Sequence, residues 1–520
     1  MTQIKRQSLP CNLGLRVMAV ALASALTGAC AVGPDFHRPA APLATGFAPQ
    51  PMPATTASAP NIPGGDAVRF VIGRDIPFAW WQELGSPKLD ALVARALVNS
   101  PTLTAAIAVL RQAHEQTAAQ RGFFYPTVTP EFGASRQQIA GNLAGNDPGI
   151  QGNGTNLTAP PGHPLVYSFY TAQVGLSYTP DVFGGNRRQL ESLKAQEENL
   201  RFQMEAAYIT LTTNVVAAAL QEASLQAQIK ATQAYIETSN RAMAILRDQQ
   251  RAGLAMRLDV AQQEGALAQA EALLPPLHKQ LEQNHDLIRA LLGGLPSDDV
   301  DLTFDLDGFR LPHELPLSLP AQLIDQRPDV RAAEANLHVA SAEVGVAVAA
   351  RLPNLAITGA YGGAASSIGQ LFQPGAAFWS IVGNTTAVLF DGGTLRHRQH
   401  AAQQGLIVAR AQYRSTVINA FQNVADTLHA IQADADALAA AAHAEAATKA
   451  ARDVTRDQFR VGYVNYQTLL IAEGTYQQSV VTRVQAQTNR FGDAAALFQA
   501  LGGGWWNRTA GQDKLAADAG

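Results

Sequence analysis

The sequence predicts a mainly α-helical chain with a transmembrane β part, built from one structural unit written twice. Three observations predict this. From Asn186 to Ala252 there is no Gly and no Pro, which at 1.5 Å per residue is one helix of roughly 100 Å. A second such stretch runs from Leu406 to Val461, separated by Gly405 from its start after Phe390-Asp391-Gly392-Gly393. The ends of the two stretches also correspond. Arg247-Asp248-Gln249, Arg251, Gly253, Glu264 and Gly265 recur as Arg456-Asp457-Gln458, Arg460, Gly462, Glu473 and Gly474, each pair 209 positions apart (456 − 247). A repeat fixes architecture before any local reading.

The helices lack an ordinary core to fold around, because globular helices average about 11–12 residues. Leu190, Leu193, Leu200, Met204, Tyr208, Leu211, Val215 and Ala219 recur at three- and four-residue steps, a seam for packing on other helices as in a coiled coil. Composition narrows function. A net charge of −4 in 520 residues does not suggest a nucleic-acid partner. The two cysteines form no CxxC and no disulfide scaffold, and the eleven histidines show no HExxH or other ligand spacing. No nucleophile elbow or Walker loop is present, so nothing points to an enzyme, and no metal is expected.

In chain order, residues 1–29 read as an export signal. Lys5, Arg6 and Arg16 precede an apolar run from Val17 to Leu26, followed by Thr27-Gly28-Ala29-Cys30. The run is too short to span a bilayer. Small residues before Cys30 resemble the lipobox of bacterial lipoproteins. That resemblance implies cleavage before Cys30, a covalent lipid (palmitate among its chains) on that residue, and, with Ala31 following, sorting to the outer membrane. Residues 30–77 are rich in Ala, Pro and Thr and predict an extended tether. The first repeat spans 78–294. It comprises a helix broken at Asn99-Ser100-Pro101, strands at about 127–136 and 166–180, and a helical hairpin at about 186–292 whose return arm Pro275-Pro276 should break. Residues 295–320 link the halves. The second repeat, 321–504, opens with one helix from Pro320 to Arg351, then strands at about 354–362 and 378–390 and a hairpin at about 394–501; residues 505–520 read as a flexible tail. Pro101 and Pro126 correspond to Pro328 and Pro353, 25 residues apart in each half (126 − 101).

The strands alternate. Tyr170, Ala172, Val174, Leu176 and Tyr178 share one face, and Thr171, Gln173, Gly175 and Ser177 the other; Trp379 and Ile381 likewise alternate with Ser380, Asn384 and Thr386. Strands of about ten residues with aromatic ends fit a membrane barrel. One chain offers four, whose open edges cannot face lipid, and about eight is the practical minimum for closure. Several copies around an axis must therefore close it. Three give a 12-stranded trimeric β-barrel and a matching twelve-helix tube.

Five motifs then carry a family likeness: Cys30-Ala31-Val32-Gly33-Pro34-Asp35-Phe36-His37-Arg38-Pro39, Arg327-Pro328-Asp329-Val330-Arg331 with Ala333-Glu334, Phe390-Asp391-Gly392-Gly393, Arg460-Val461-Gly462-Tyr463, and Ala500-Leu501-Gly502-Gly503-Gly504-Trp505. Over residues 30–507 the chain resembles the TolC-type outer-membrane efflux family, and within it the NodT-like lipoprotein branch that serves RND-type pumps. The resemblance implies a homotrimer with an outer-membrane β-barrel, a periplasmic α-barrel and a mixed α/β equatorial belt. It also implies the role of exit channel in a tripartite efflux pump for drugs or other small molecules, with a periplasmic adaptor and an inner-membrane transporter as partners. The alternatives are the outer-membrane duct of a type I protein-secretion system and a non-channel periplasmic coiled-coil adaptor.

The family's closed periplasmic tip maps onto the turns Ala252–Asp259 and Val461–Thr468. Gly253 and Gly462 stand where a left-handed glycine ends a helix, with Asp259 and Tyr463 in the same turns. The family's acidic ring is not carried over, since Thr468 and Ile471 occupy its second-repeat positions. The expected gate is instead Tyr466, Thr468, Leu469 and Ile471, helped by hydrogen bonds from Asp259; a hydrophobic constriction closes by dewetting. Arg247, Asp248 and Arg251, with their repeats Arg456, Asp457 and Arg460, are expected to hold neighbouring helix pairs together or to meet an adaptor.

Overall fold

The computed structural model describes residues 31–42, 46–50, 52–139 and 164–508. Cys30, the signal, most of the first inter-strand loop and residues 509–520 lie outside them. The helices are α1 (Pro87–Asn99), α2 (Pro101–Arg121), α3 (Gly185–Arg251), α4 (Arg257–Leu291), α5 (Pro320–Gln326), α6 (Pro328–Ala349), α7 (Thr394–Arg460) and α8 (Tyr466–Ala500). The strands are β1 (Arg69–Ile72), β2 (Thr127–Ile139), β3 (Leu165–Tyr178), β4 (Glu314–Leu317), β5 (Asn354–Ala365) and β6 (Ala377–Thr386). Both long helices have 67 residues and both return helices 35. The bounds of α7 and α8 lie 209 positions beyond those of α3 and α4 (394 − 185, 500 − 291), so the repeat holds to the residue.

Three local expectations are corrected. α4 runs through Pro275 and Pro276 as one helix. Both prolines are exposed, as are Glu271 and Ala272, whose carbonyls lose their helical donors, so water can satisfy them. α7 runs through Gly405 as the expected hairpin does; the glycine meets open space and costs about 1 kcal/mol relative to Ala. Conversely, the single helix expected from Pro320 to Arg351 is two. Arg327 adopts φ −85°, ψ 119°, because a residue before proline is driven out of the α region, as at Ser100-Pro101. β6 stops at Thr386 rather than near 390. Its partner there is Asn354, and the preceding Pro353 has no N–H to continue the ladder.

The chain divides into two compact units, and α3 and α7 each contribute to both. One unit joins residues 31–37, 112–197 and 335–410. It holds a four-stranded antiparallel sheet of order β2-β3-β5-β6. The other joins residues 38–111, 198–334 and 411–508. Its core combines Trp80, Leu84, Leu89, Val215, Leu220, Ile288, Phe309, Leu323, Val424, Phe491 and Phe498, all essentially buried.

The tether expectation fails from residue 52 on. β1 pairs in parallel with β4 of the inter-repeat linker, Arg69 opposite Glu314. Arg490, buried on α8, donates to Thr56 Oγ1 and to the carbonyls of Ala57 and Asp66, and Gln487 donates to Pro63 O. Extended backbone rich in proline has unpaired carbonyls, and these side chains take them. The start of the tail is ordered as well. Trp505 Nε1 donates to Gln326 O at 2.8 Å, and Asn507 reaches Asp75 and Ile76. The fully buried Glu222 of α3 accepts from the linker's Phe304 N at 2.7 Å and lies 3.5 Å from His285 of α4. Burial pushes that carboxyl above its usual range.

Candidate channel wall and hairpin tips

Each strand of the sheet divides its side chains between two faces. Val128, Phe132, Val174, Tyr361, Trp379 and Ile381 share one face through the cross-strand register. All six are exposed, Trp379 by 73% and Ile381 by 75%. The opposite face carries Thr129, Glu131, Ser135, Gln137, Thr171, Gln173, Ser380, Asn384 and Thr386. There Gln173 donates to Glu131 at 2.7 Å, and Tyr167 OH to Gln137 at 3.1 Å. Bare apolar side chains backed by a polar face are the pattern of a barrel wall between lipid and water. Among the described residues β2 and β6 have a strand neighbour on one side only. No single described helix is long and apolar enough to cross a membrane.

The motif preceding this wall is anchored in the same unit. Arg188, near the start of α3, is almost wholly buried. It donates to Val32 O at 3.0 Å, to Ala31 O and Gly33 O, and to Asp35 at 2.7 Å. That guanidinium holds the Asp35 carboxyl below its usual range. Gly33 takes φ +99°, and a Cβ there would stand 2.4 Å from Gly345 Cα, so the backbone passes against α6 only because Gly33 has no side chain; a Cβ on Gly345 would instead stand 2.7 Å from Arg188 Cγ. Phe36 stacks on His338 at 4.2 Å.

In the other unit, two further motifs meet. Arg327 donates to Ala500 O, an otherwise unpaired carbonyl at the end of α8, and grips Asp329 with Nε and Nη2. Gly502, at φ +98°, packs with no room for a Cβ against Gln326 O. Arg331 stacks over Phe202 at 5.0 Å.

At the tips, both long helices end identically. Gly253 (φ +77°) and Gly462 (φ +79°) are the C′ residues. Leu254 N donates to Gln249 O and Tyr463 N to Gln458 O, each at 2.8 Å, while the glycine N–H groups reach Gln250 O and Phe459 O. This is the six-to-one and five-to-two pairing of a Schellman turn. The return helices start differently. In the first, Asp259 reaches back to Met256 N at 3.0 Å; in the second, the Asn465 side chain accepts from Thr468 N at 3.0 Å. Asp259 is thus occupied within its own turn.

The expected gate residues separate into two sets. Tyr466 and Leu469 are buried inside the protomer with Leu246, flanked by Val260, Phe459 and Leu470. Tyr466 OH donates to Gln263 Oε1, and Gln263, itself 1% exposed, donates to Ser239 O at 2.8 Å. Burial lifts the Tyr466 phenol well above the usual tyrosine range, so it stays a donor. These two side chains therefore tie α4 to α8 rather than line an opening. Thr468, Ile471 and Tyr463 are exposed. Leu254, Met256, Leu258 and Val461 are exposed in the two tip turns as well; sequence reasoning missed these four, although large apolar residues in an expected solvent-facing turn were a signal.

The charged set closes within single hairpins. Arg247 lies 4.0 Å from Glu264, and its repeat Arg456 is hydrogen-bonded to Glu473. Arg251 pairs with Asp248, and Arg460 with Asp457 at 3.1 Å. Pairs as exposed as Arg460–Asp457 contribute about 0–1 kcal/mol. Within one protomer the two hairpins are tied by Tyr466 and Gln263.

An amphipathic sheet with open edges and two capped helical hairpins define one protomer of an outer-membrane channel. The family model described as outer membrane efflux protein matches residues 92–294 and 319–503, and the chain belongs to that family. It is 30% identical over 437 residues to the pyoverdine export outer membrane protein OpmQ of Pseudomonas aeruginosa, covering 82% of this chain and 87% of that protein. It is 26% identical over 507 residues to the probable efflux pump outer membrane protein TtgC of Pseudomonas putida, covering 96% and 98%. The solved outer-membrane channel OprN superposes with a TM-score of 0.78 at 26% identity, over 92% of this chain and all of that one. The protein is the outer-membrane exit channel of a tripartite efflux pump and not an enzyme. It acts as a trimer with a periplasmic adaptor and an inner-membrane pump, most of its length being periplasmic.

Proposed function

We propose that this chain is the lipid-anchored exit duct of an RND-type pump for small molecules, gated where the hairpin tips meet. The observation that carries the gate is the buried contact of Tyr466 with Gln263, which joins the two hairpins of one protomer at the end of the long helices. Opening must part the hairpins and break it. The anchored segment Ala31–Asp35 supports the lipid: it leads directly from Cys30 into the notch at Arg188. Relatives named for pyoverdine export and toluene efflux support a small-molecule cargo. For the outer face of the gate, Thr468 and Ile471 remain the candidates.

Tyr466→Phe removes the donor and leaves Gln263 Oε1 buried without one. The loss is about 1–3 kcal/mol against the closed tip, so trimers in planar bilayers should conduct at least several-fold more than wild type; unchanged conductance would reject this latch. Cys30→Ala should abolish incorporation of labelled palmitate, and persistence of label would refute the anchor. The duct reading itself is tested by complementing a deletion strain and scoring susceptibility to dyes, antibiotics and solvents.

A further inference from the structure

A cavity of about 390 Å³ lies between the two hairpins of one protomer, beside the Tyr466–Gln263 contact. Pockets for small ligands run from about 300 to 1,000 Å³. Ile245 and Leu246 of α3, Phe459 of α7 and Leu470 of α8 give it apolar walls. Phe459 stands edge-on to Tyr466, with 5.6 Å between ring centroids. The polar atoms of Tyr466 and Gln263 are taken up by each other and by Ser239 O, so this part of the lining offers a ligand mainly carbon.

The charges on the lining are unbalanced. Arg241, Arg456 and Arg460 bring three guanidiniums against one carboxylate, Glu473. Arg456 is committed to Glu473. Arg241 and Arg460 pair instead with Glu237 and Asp457, which lie outside the lining, and these four side chains are 67–72% exposed. Pairs so open to water are weak. Both guanidiniums can therefore turn to an anion, which a guanidinium holds through two parallel N–H bonds.

We propose that this cavity binds a small apolar anion, a carboxylate, sulfonate or phosphate on an aromatic or alkyl body, while the tip is closed. The body lies against Ile245, Leu246, Phe459 and Leu470, and the anionic group meets Arg241 and Arg460. Size and charge select this occupant. A helix about 10 Å across with a 5.4 Å pitch fills more than this volume in a single turn, and a cation would face the excess of guanidiniums. Because both hairpins supply the walls, parting them dismantles the site. A ligand that binds one of two states better shifts the population toward that state, so the occupant holds the tip shut.

That consequence rests on the gate reading; the binding does not. Naphthalenesulfonate titrated calorimetrically into wild-type trimers in nanodiscs should bind at three sites per trimer. Uncharged naphthalenemethanol should bind at least tenfold more weakly. Arg241→Gln with Arg460→Gln, both at exposed positions, should weaken naphthalenesulfonate at least tenfold, and Leu470→Trp, which fills the cavity, should abolish its binding. Equal binding of the neutral analogue, or no effect of the arginine substitutions, would overturn the anion assignment. Undiminished binding to Leu470→Trp trimers would overturn the location. No binding to wild type would overturn the site, and loss of efflux complementation by Leu470→Trp in that case would give the cavity to a protein partner. In planar bilayers, naphthalenesulfonate should reduce opening events several-fold; binding with unchanged opening would overturn the preference for the closed tip. The latch reading fails separately, if Tyr466→Phe conducts no more than wild type, and that result leaves the calorimetry standing.

Discussion

Ile381→Arg should eliminate the stable trimer from the outer membrane. Ile381 lies in the middle of β6 on the apolar face, 75% exposed and opposite Gly359. A lipid-facing arginine near the bilayer midplane costs about 2–4 kcal/mol, and the trimer incurs it three times. The measurement is the heat-labile trimer band in outer-membrane fractions. Ser380→Arg, one residue away on the polar face, should assemble normally and change only conductance. Equal assembly of both variants would show that the faces have been assigned the wrong way round.

The second large effect is expected in the helical unit. Phe498 is fully buried on α8 and stacks on Trp80 at 5.3 Å with an interplanar angle of 18°. Phe498→Ala removes that ring and leaves a cavity in a core shared by helices from both repeats, a loss of about 3–5 kcal/mol. Trimers extracted in detergent should lose resistance to trypsin and unfold at markedly lower urea. Phe372→Ala removes a ring that is 86% exposed and should leave both measurements unchanged. Resistance equal to wild type in Phe498→Ala would contradict the shared core.

The difference between these sites explains why the sequence could be read so far. Helix ends were legible because Gly253 and Gly462 are needed at a positive φ, a requirement of the chain itself and of nothing distant. The strand faces were legible because alternation has a period of two whatever lies on either side. Repetition added what neither signal carries alone: it located the second hairpin once the first was found.

Direction was harder to read. Tyr466 and Leu469 looked like gate residues by position, but a helix turns 100° per residue, and which face meets the partner hairpin depends on the crossing of two helices. The docked segment from 52 to 77 was hidden for another reason. Its alanines and prolines do describe a free tether, and it is distant partners that convert it into bound structure: β4 beside β1, and Arg490 and Gln487, more than 400 positions later in the chain (490 − 56).

The amino-acid sequence by itself determined the duplicated unit, its element boundaries to within a few residues at most ends, the two-faced strands and the need for more than one copy. Those features follow from backbone conformation, side-chain period and the cost of bare peptide groups in lipid, all of which act locally or per strand. The tertiary structure alone decided which tip side chains turn inward, that the charged pairs close within their own hairpins, and how the N-terminal segment is held. Each depends on distant elements approaching in three dimensions, and no short window of sequence records that geometry.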